Sequence, residues 1–78
     1  MAAEQTDLFS PNPTDGMVQL HLENASQVYV YNTFGIEVLP SQEVQSDSKL
    51  DLSTLPSGMY MLRIVSGTDV VTQTVIKK

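Results

Sequence analysis

Apolar and polar residues alternate with a period of two along most of this chain, which is the pattern of half-buried β-strands. The longest alternation follows a Pro-Ser-Gly turn, where Tyr60, Leu62 and Ile64 share one face. Gly58 in that turn allows a backbone conformation that a Cβ would penalise. We therefore predict that Leu55–Val65 contains the central strand of the domain, with the Tyr60 face buried.

Two pairs of alternating segments have the spacing of β-hairpins. Val28–Tyr31 and Ile36–Leu39 are joined by a short connection that ends in glycine. Ser66–Asp69 joins the central strand to a last strand, Val70–Ile76. Both faces of this last strand carry aliphatic residues, so its alternation leaves the buried face open, and a bulge would shift its register.

Further short strands are predicted at Met17–Leu22 and Leu50–Leu52. Pro40 is expected to end the strand before it, because proline cannot donate to a ladder. The polar stretch Ser41–Ser48 is typical of a loop or a short edge strand.

No window shows a helical period, so the chain is predicted to be all-β. About seven short strands favour an immunoglobulin-like antiparallel β-sandwich, with a small open barrel as the lesser alternative.

The chain divides into a polar start and one domain. Residues 1–7 are predicted to be a disordered linker remnant or an expression start, and residues 8–78 to be the folded domain. Residues 1–7 have neither the basic nor the apolar region of a secretory signal peptide, so we expect a cytoplasmic protein or a fragment. The start Met1-Ala2 favours the fragment.

Pro11–Gly16 concentrates turn formers and predicts a rigid, irregular lead-in.

The charge balance excludes one large class of partner. Nine acidic and four basic side chains give a formal net charge of -5, and no basic stripe is interleaved with aromatic residues. A nucleic-acid partner is therefore not expected. The apolar runs are far shorter than a membrane span, so stable membrane insertion is not expected either. The chain has no cysteine, and the packed core must hold it without a disulfide.

The residues offer little for catalysis or metal binding. His21 is the only histidine, and a zinc site needs three or four ligands. The serines lie in or beside turns, where they support the backbone. Four aspartates lack the spacing of a calcium loop and are explained as surface charge: Asp15, Asp47, Asp51 and Asp69. We predict no catalytic residue, no metal site and no cofactor.

Four motifs occur in a specific order along the chain. They are Pro-Asn-Pro-Thr-x-Gly at Pro11–Gly16, Val-x-Val-Tyr-Asn-x-x-Gly at Val28–Gly35, Leu-Asp-Leu-Ser-x-Leu-x-x-Gly-x-Tyr at Leu50–Tyr60, and Ile-Lys-Lys at Ile76–Lys78. Together they resemble the type A C-terminal sorting domain of the bacterial type IX secretion system. The resemblance covers about Leu8–Lys78.

The resemblance implies a secretion signal and not an enzyme. Such a domain directs an N-terminally fused cargo from the periplasm across the outer membrane through the type IX translocon. Its implied partners are the translocon with its shuttle and sortase-like components. A sortase-like cysteine protease then cleaves the domain from the cargo and can attach the cargo to anionic lipopolysaccharide. The implied route is the periplasm in transit, then the cell surface or the medium.

Two sets of residues are expected to matter. The candidate residues for translocon recognition are Val75, Ile76, Lys77 and Lys78. The motif residues, expected to be mainly structural, are Pro11, Asn12, Pro13, Gly16, Gly35, Gly58 and Tyr60. The alternative function is a small adhesin or carbohydrate-binding module with Tyr29, Tyr31 and Tyr60 as its platform. A third is a structural domain that self-associates through an unpaired strand edge.

Overall fold

The computed structural model describes residues 8–78, which form an all-β sandwich of two antiparallel sheets. The strands are β1 (Phe9–Ser10), β2 (Met17–Leu20), β3 (Ser26–Tyr31), β4 (Glu37–Val44), β5 (Lys49–Asp51), β6 (Gly58–Ser66) and β7 (Asp69–Lys77). The order is β1-β2-β5 in one sheet and β4-β3-β6-β7 in the other. The predicted fold class is confirmed, whereas the linker or expression start predicted at residues 1–7 lies outside the described residues. None of the described residues, 8–78, lies in a helix that could span a bilayer.

The core lies between the two sheets and is built from the inward-facing positions of the strands. Tyr60, Leu62 and Ile64 of β6 are buried, while the intervening Met61 and Arg63 are exposed. Because β6 pairs with β3 on one side and β7 on the other, it is the predicted central strand. The buried hydrophobic residues are Phe9, Val18, Leu20, Val28, Val30, Val44, Leu50, Leu52, Leu55, Tyr60, Leu62, Ile64 and Val75.

The second strand of the first hairpin differs from the prediction at Pro40. β4 continues through Pro40 to the buried Val44, so the expectation that proline ends the strand is wrong. β4 is an edge strand, and the register of the β3–β4 ladder shifts on both sides of Val30. Proline is tolerated at such bulged edges because no second neighbour needs its missing N–H. Ser41–Val44 therefore belongs to the edge strand and not to a loop.

The register between β6 and β7 decides which face of β7 is buried. Tyr60 pairs with Val75 and Leu62 pairs with Gln73, with no shift along the ladder. Directly paired residues share a face, so Val75 enters the core, where it is fully buried, and Ile76 faces outward. The bulge that would have shifted the register of this last strand does not occur in the ladder between β6 and β7.

Tyr60 also anchors the loop that leads into β6. Its hydroxyl donates a 2.6 Å hydrogen bond to the backbone carbonyl of Pro56, four residues upstream. This is the tyrosine corner of immunoglobulin-like sandwiches, in which a tyrosine near the start of a strand bonds back to the preceding loop. The side chain therefore fills the core with its ring and fixes the turn with its hydroxyl.

We expect Tyr60→Phe to lower the free energy of unfolding by about 1 to 2 kcal/mol, because it removes this hydrogen bond and keeps the buried ring. Urea unfolding followed by far-UV circular dichroism measures the change. Tyr31→Phe is the matched control, since Tyr31 is only half-buried and lies on the outer face of the sheet. Equal losses in the two variants would contradict a specific role for the bond to Pro56.

Candidate functional site

The chain changes sheets in Pro11–Gly16, which we call the crossover segment. β1 pairs with β2 in the three-stranded sheet, but Thr14 forms a parallel bridge with Lys77 at the outer edge of β7 in the other sheet. Pro11 and Pro13 fix their own φ angles and restrict the residues before them to extended conformations. The lead-in predicted from sequence is therefore a rigid cover on the edge of the last strand.

Asn12 pairs with β7 through its side chain in place of a strand backbone. Its Nδ2 donates a 3.0 Å hydrogen bond to the carbonyl oxygen of Thr74. Its Oδ1 accepts a 2.9 Å hydrogen bond from the N–H of Ile76. A primary amide offers a donor and an acceptor side by side, as a peptide group does. One side chain thus satisfies two backbone groups that would otherwise face solvent.

Thr14 continues the cover with both backbone and side chain. Its N–H donates to the carbonyl of Ile76, and its carbonyl accepts from the N–H of Lys78, both at 2.8 Å. Its buried hydroxyl donates to the carbonyl of Met17 at 2.8 Å and accepts from the N–H of Gly16 at 3.0 Å. Thr14 belongs to the first motif but is not among the residues expected from the sequence to matter, although a hydroxyl two positions before a glycine is a signal for such a turn.

Gly16 meets two constraints at the end of the crossover segment. Its φ is +150°, which L side chains rarely adopt, and a Cβ there would lie 3.1 Å from the Cα and Cβ of Ser53. Its carbonyl accepts a 2.6 Å hydrogen bond from the N–H of Leu52. Ser53 is held in turn by its N–H, which donates a 2.8 Å hydrogen bond to Oδ1 of Asp51. Hydrogen bonding by the hydroxyl and N–H of Ser53 lowers the pKa of the Asp51 carboxyl. The crossover segment is therefore fixed to the loop after β5 as well as to β7.

The fold gathers most of the motif residues at one end of β7. Gly58 pairs with Lys77 and Tyr60 pairs with Val75, on the inner edge of β7. The crossover segment covers the outer edge at the same level. Gly35 is the exception, since it lies in the β3–β4 turn, where its φ of +81° favours glycine. Motifs that are distant in sequence thus converge on the second half of the last strand.

The four candidate recognition residues do not share one exposed surface. Val75 is buried, whereas Ile76 is 42% exposed on the outer face. Lys77 is half-buried, and Lys78 is exposed with its Nζ 3.5 Å from a carboxylate oxygen of Asp15. That ion pair contributes little, because both side chains are largely in water. A partner can reach the last three side chains, but it cannot reach Val75 in the folded domain.

The tyrosines considered as a carbohydrate platform lie on different faces. Tyr29 and Tyr31 stack with their ring centroids 6.4 Å apart on the outer face of the four-stranded sheet. The guanidinium carbon of Arg63 lies 5.9 Å from the centroid of the Tyr29 ring. Tyr60 is in the core, so the three rings do not form one surface.

His21 takes part in a structural contact between two strands. Its Nε2 lies 2.8 Å from the hydroxyl oxygen of Ser10, which links β1 to the end of β2 on the exposed surface. Over residues 8–78, no group of three or more His, Cys, Asp or Glu side chains is placed to hold a metal ion.

Comparison with known protein families gives a match over almost all of the described structure. The family model described as secretion system C-terminal sorting domain matches residues 9–78. This range begins in β1 and includes the crossover segment and all of β7. A comparison with curated proteins found no match.

We expect Asn12→Asp to destabilise the domain at neutral pH by about 1 to 3 kcal/mol, because a carboxylate cannot donate to the carbonyl of Thr74 and is repelled by it. The protonated carboxyl regains a donor. The regained bond raises the pKa of the introduced carboxyl in the folded state above the unfolded value of about 3.9. Its contribution to stability is full below the unfolded pKa and is lost as the pH rises through the folded pKa. The stability deficit of Asn12→Asp should shrink on acidification.

Urea unfolding of the wild type, Asn12→Asp and Asn12→Ala at neutral pH and near pH 3 measures this effect. Asn12→Ala is the control, since it loses both hydrogen bonds and adds no titratable group. An Asn12→Asp deficit that stays constant with pH, as that of Asn12→Ala should, would contradict the proposed donor role of Nδ2.

We expect Gly16→Ala to be more costly than Gly58→Ala, although both positions have a φ near +150°. A Cβ at Gly58 meets nothing within 4 Å, so only the backbone strain of about 1 to 3 kcal/mol applies. At Gly16 the contact with Ser53 adds to that strain, by about 1 kcal/mol or more. Thermal and urea unfolding compare the two variants, and equal losses would show that the contact with Ser53 has no cost.

Proposed function

Because this chain belongs to the family of secretion system C-terminal sorting domains, and so carries a type IX secretion sorting signal, we propose that it directs a cargo from the periplasm across the outer membrane. The cargo is fused on the N-terminal side of the domain, and the family implies export to the cell surface or secretion. In this proposal the domain is a ligand of the translocon and its shuttle component.

The observation that carries the proposal is the family match together with the geometry of β7. The match includes both the crossover segment and the last strand, and hydrogen bonds from Asn12 and Thr14 join these two parts. A signal that needs both parts is a folded surface and not a linear peptide. Loss of the fold would then remove the signal even where the sequence of β7 is intact.

We assign recognition to the side chains of Ile76, Lys77 and Lys78, which a partner can reach. Lys77 and Lys78 place two positive charges at consecutive positions on a domain whose formal net charge is -5. A partner with an acidic patch beside an apolar contact for Ile76 complements this arrangement. Val75 supports recognition indirectly, because its burial fixes where the next three side chains emerge.

We further propose that the domain is the substrate of a sortase-like cysteine protease. In this scheme the protease thiolate attacks a peptide carbonyl before the folded domain, the amine on the domain side leaves, and the cargo remains as an acyl-enzyme thioester. Transfer of the acyl group to an amine of anionic lipopolysaccharide, or to water, then releases the cargo. The domain departs folded, and none of its own residues takes part in bond cleavage.

Expression of a periplasmic reporter fused before residues 1–78, in a bacterium with a type IX system, tests the sorting function and the role of the basic pair. We expect the wild-type fusion to reach the cell surface and Lys77→Ala/Lys78→Ala to lower surface delivery by about tenfold, the effect of losing roughly 1.4 kcal/mol of binding. Because neither lysine lies in the core, the melting temperature should change little.

Lys49→Ala is the matched control, since it removes an exposed lysine of β5 on the other sheet. Delivery of the double variant at the wild-type level would contradict recognition through the basic pair. Retention of the wild-type fusion in the periplasm would contradict the sorting function itself.

A further inference from the structure

We propose that the outer edge of β7 from Val70 to Thr74 is a second contact site, which binds an extended strand of a protein of the secretion machinery by adding it to the four-stranded sheet. The proposal rests on the sorting function proposed above and concerns a different part of β7 from the basic pair.

The direction of the backbone groups in β7 identifies the open edge. The N–H and carbonyl of Ile76 bond to the crossover segment, so they point away from β6. Along an antiparallel strand, every second residue points its backbone N–H and carbonyl toward the same edge. The N–H and carbonyl groups of Val70 and Thr72, and the N–H of Thr74, therefore point outward too. Among residues 8–78, no hydrogen bond pairs these groups.

The other sheet edges in the described part of the chain are protected against strand addition. β1 and β5 have only 2 and 3 residues. β4 carries Pro40 and an irregular register. The crossover segment covers β7 from the carbonyl of Thr74 onward. Among residues 8–78, Val70–Thr74 is thus the long edge that remains open.

The composition of this edge favours pairing. Val70–Ile76 contains no charged residue, no proline and no glycine, and most of its residues are β-branched. Native edges usually avoid further pairing by means of lysines, prolines or bulges, and this stretch has none of them. Val70 is 50% exposed and Thr72 is exposed, so the edge is accessible. Backbone pairing at such an edge is an established mode of peptide recognition.

A strand from a different protein fits this edge better than a second copy of the domain. The carbonyl of Thr74 is bonded to Asn12 whichever strand lies opposite it, so the choice between the two occupants rests on charge. Each copy has a formal net charge of -5, so two copies repel each other. The partner strand is therefore short, with uncharged or basic side chains and an apolar residue beside Val70.

The test compares Thr72→Pro with Thr72→Val in the reporter fusion to residues 1–78. Proline removes an outward-pointing N–H and leaves the β6–β7 ladder intact, whereas valine keeps the backbone and the shape of the side chain. We expect surface delivery to fall by about tenfold for Thr72→Pro, which corresponds to the loss of about one backbone hydrogen bond, and to be unchanged for Thr72→Val.

Circular dichroism of the purified variants shows whether each is folded. If Thr72→Pro unfolds the domain, Val70→Pro is tested in its place, because Val70 also points its N–H outward and lies next to the hairpin turn. Wild-type delivery by a folded proline variant, or an equal loss in Thr72→Val, would overturn the edge proposal. It would leave the sorting function in place as long as the wild-type fusion is delivered.

Light scattering of the purified chain distinguishes the two occupants. A wild-type dimer that Thr72→Pro converts to a monomer would overturn the choice of a different protein as the partner. A wild-type monomer, combined with the delivery defect of Thr72→Pro, supports it. If the wild-type fusion is not delivered at all, the sorting function and the edge proposal both fall.

Discussion

The pairing of the crossover segment with the outer edge of β7 is the constraint on which the rest of this domain depends. It joins the first motif of the chain to the last strand through the side chain of Asn12 and the backbone of Thr14. A chain of this size buries a limited core, and this one has no disulfide. The hydrogen bonds between the crossover segment and β7 therefore have to hold the two sheets together on the side where the chain passes from one to the other.

The same pairing divides β7 into two parts with different surroundings. From Thr74 onward the backbone is held by the crossover segment, so this half can present only its side chains. Between Val70 and Thr74 the outward backbone groups are unpaired within residues 8–78. Under the two proposals above, the sorting signal uses charge at one end of this strand and a strand edge at the other, both positioned by the buried ladder to β6.

Local pattern was sufficient wherever a strand has one buried face and no ambiguity of pairing. The burial of Tyr60, Leu62 and Ile64 follows from alternation alone, and the two hairpins follow from the spacing of turn residues. The error at Pro40 has a physical cause. Proline is excluded from a strand that pairs on both sides, because its missing N–H always faces one of the two neighbours, but β4 has one neighbour and an irregular register beside the proline.

Alternation and turn residues were enough to predict most strands and their inward-facing residues, apart from β1, the second half of β4 and the buried face of β7. The ordered motifs were enough to identify the family resemblance. Tertiary structure alone decided which face of β7 is buried, because aliphatic residues occur on both faces and only the register with Tyr60 selects Val75. It also decided the partners of Asn12, which lie 62 and 64 residues away. Alternation reports the direction of a side chain relative to its own strand, whereas the order of strands in a sheet depends on long-range hydrogen bonds that no local pattern encodes.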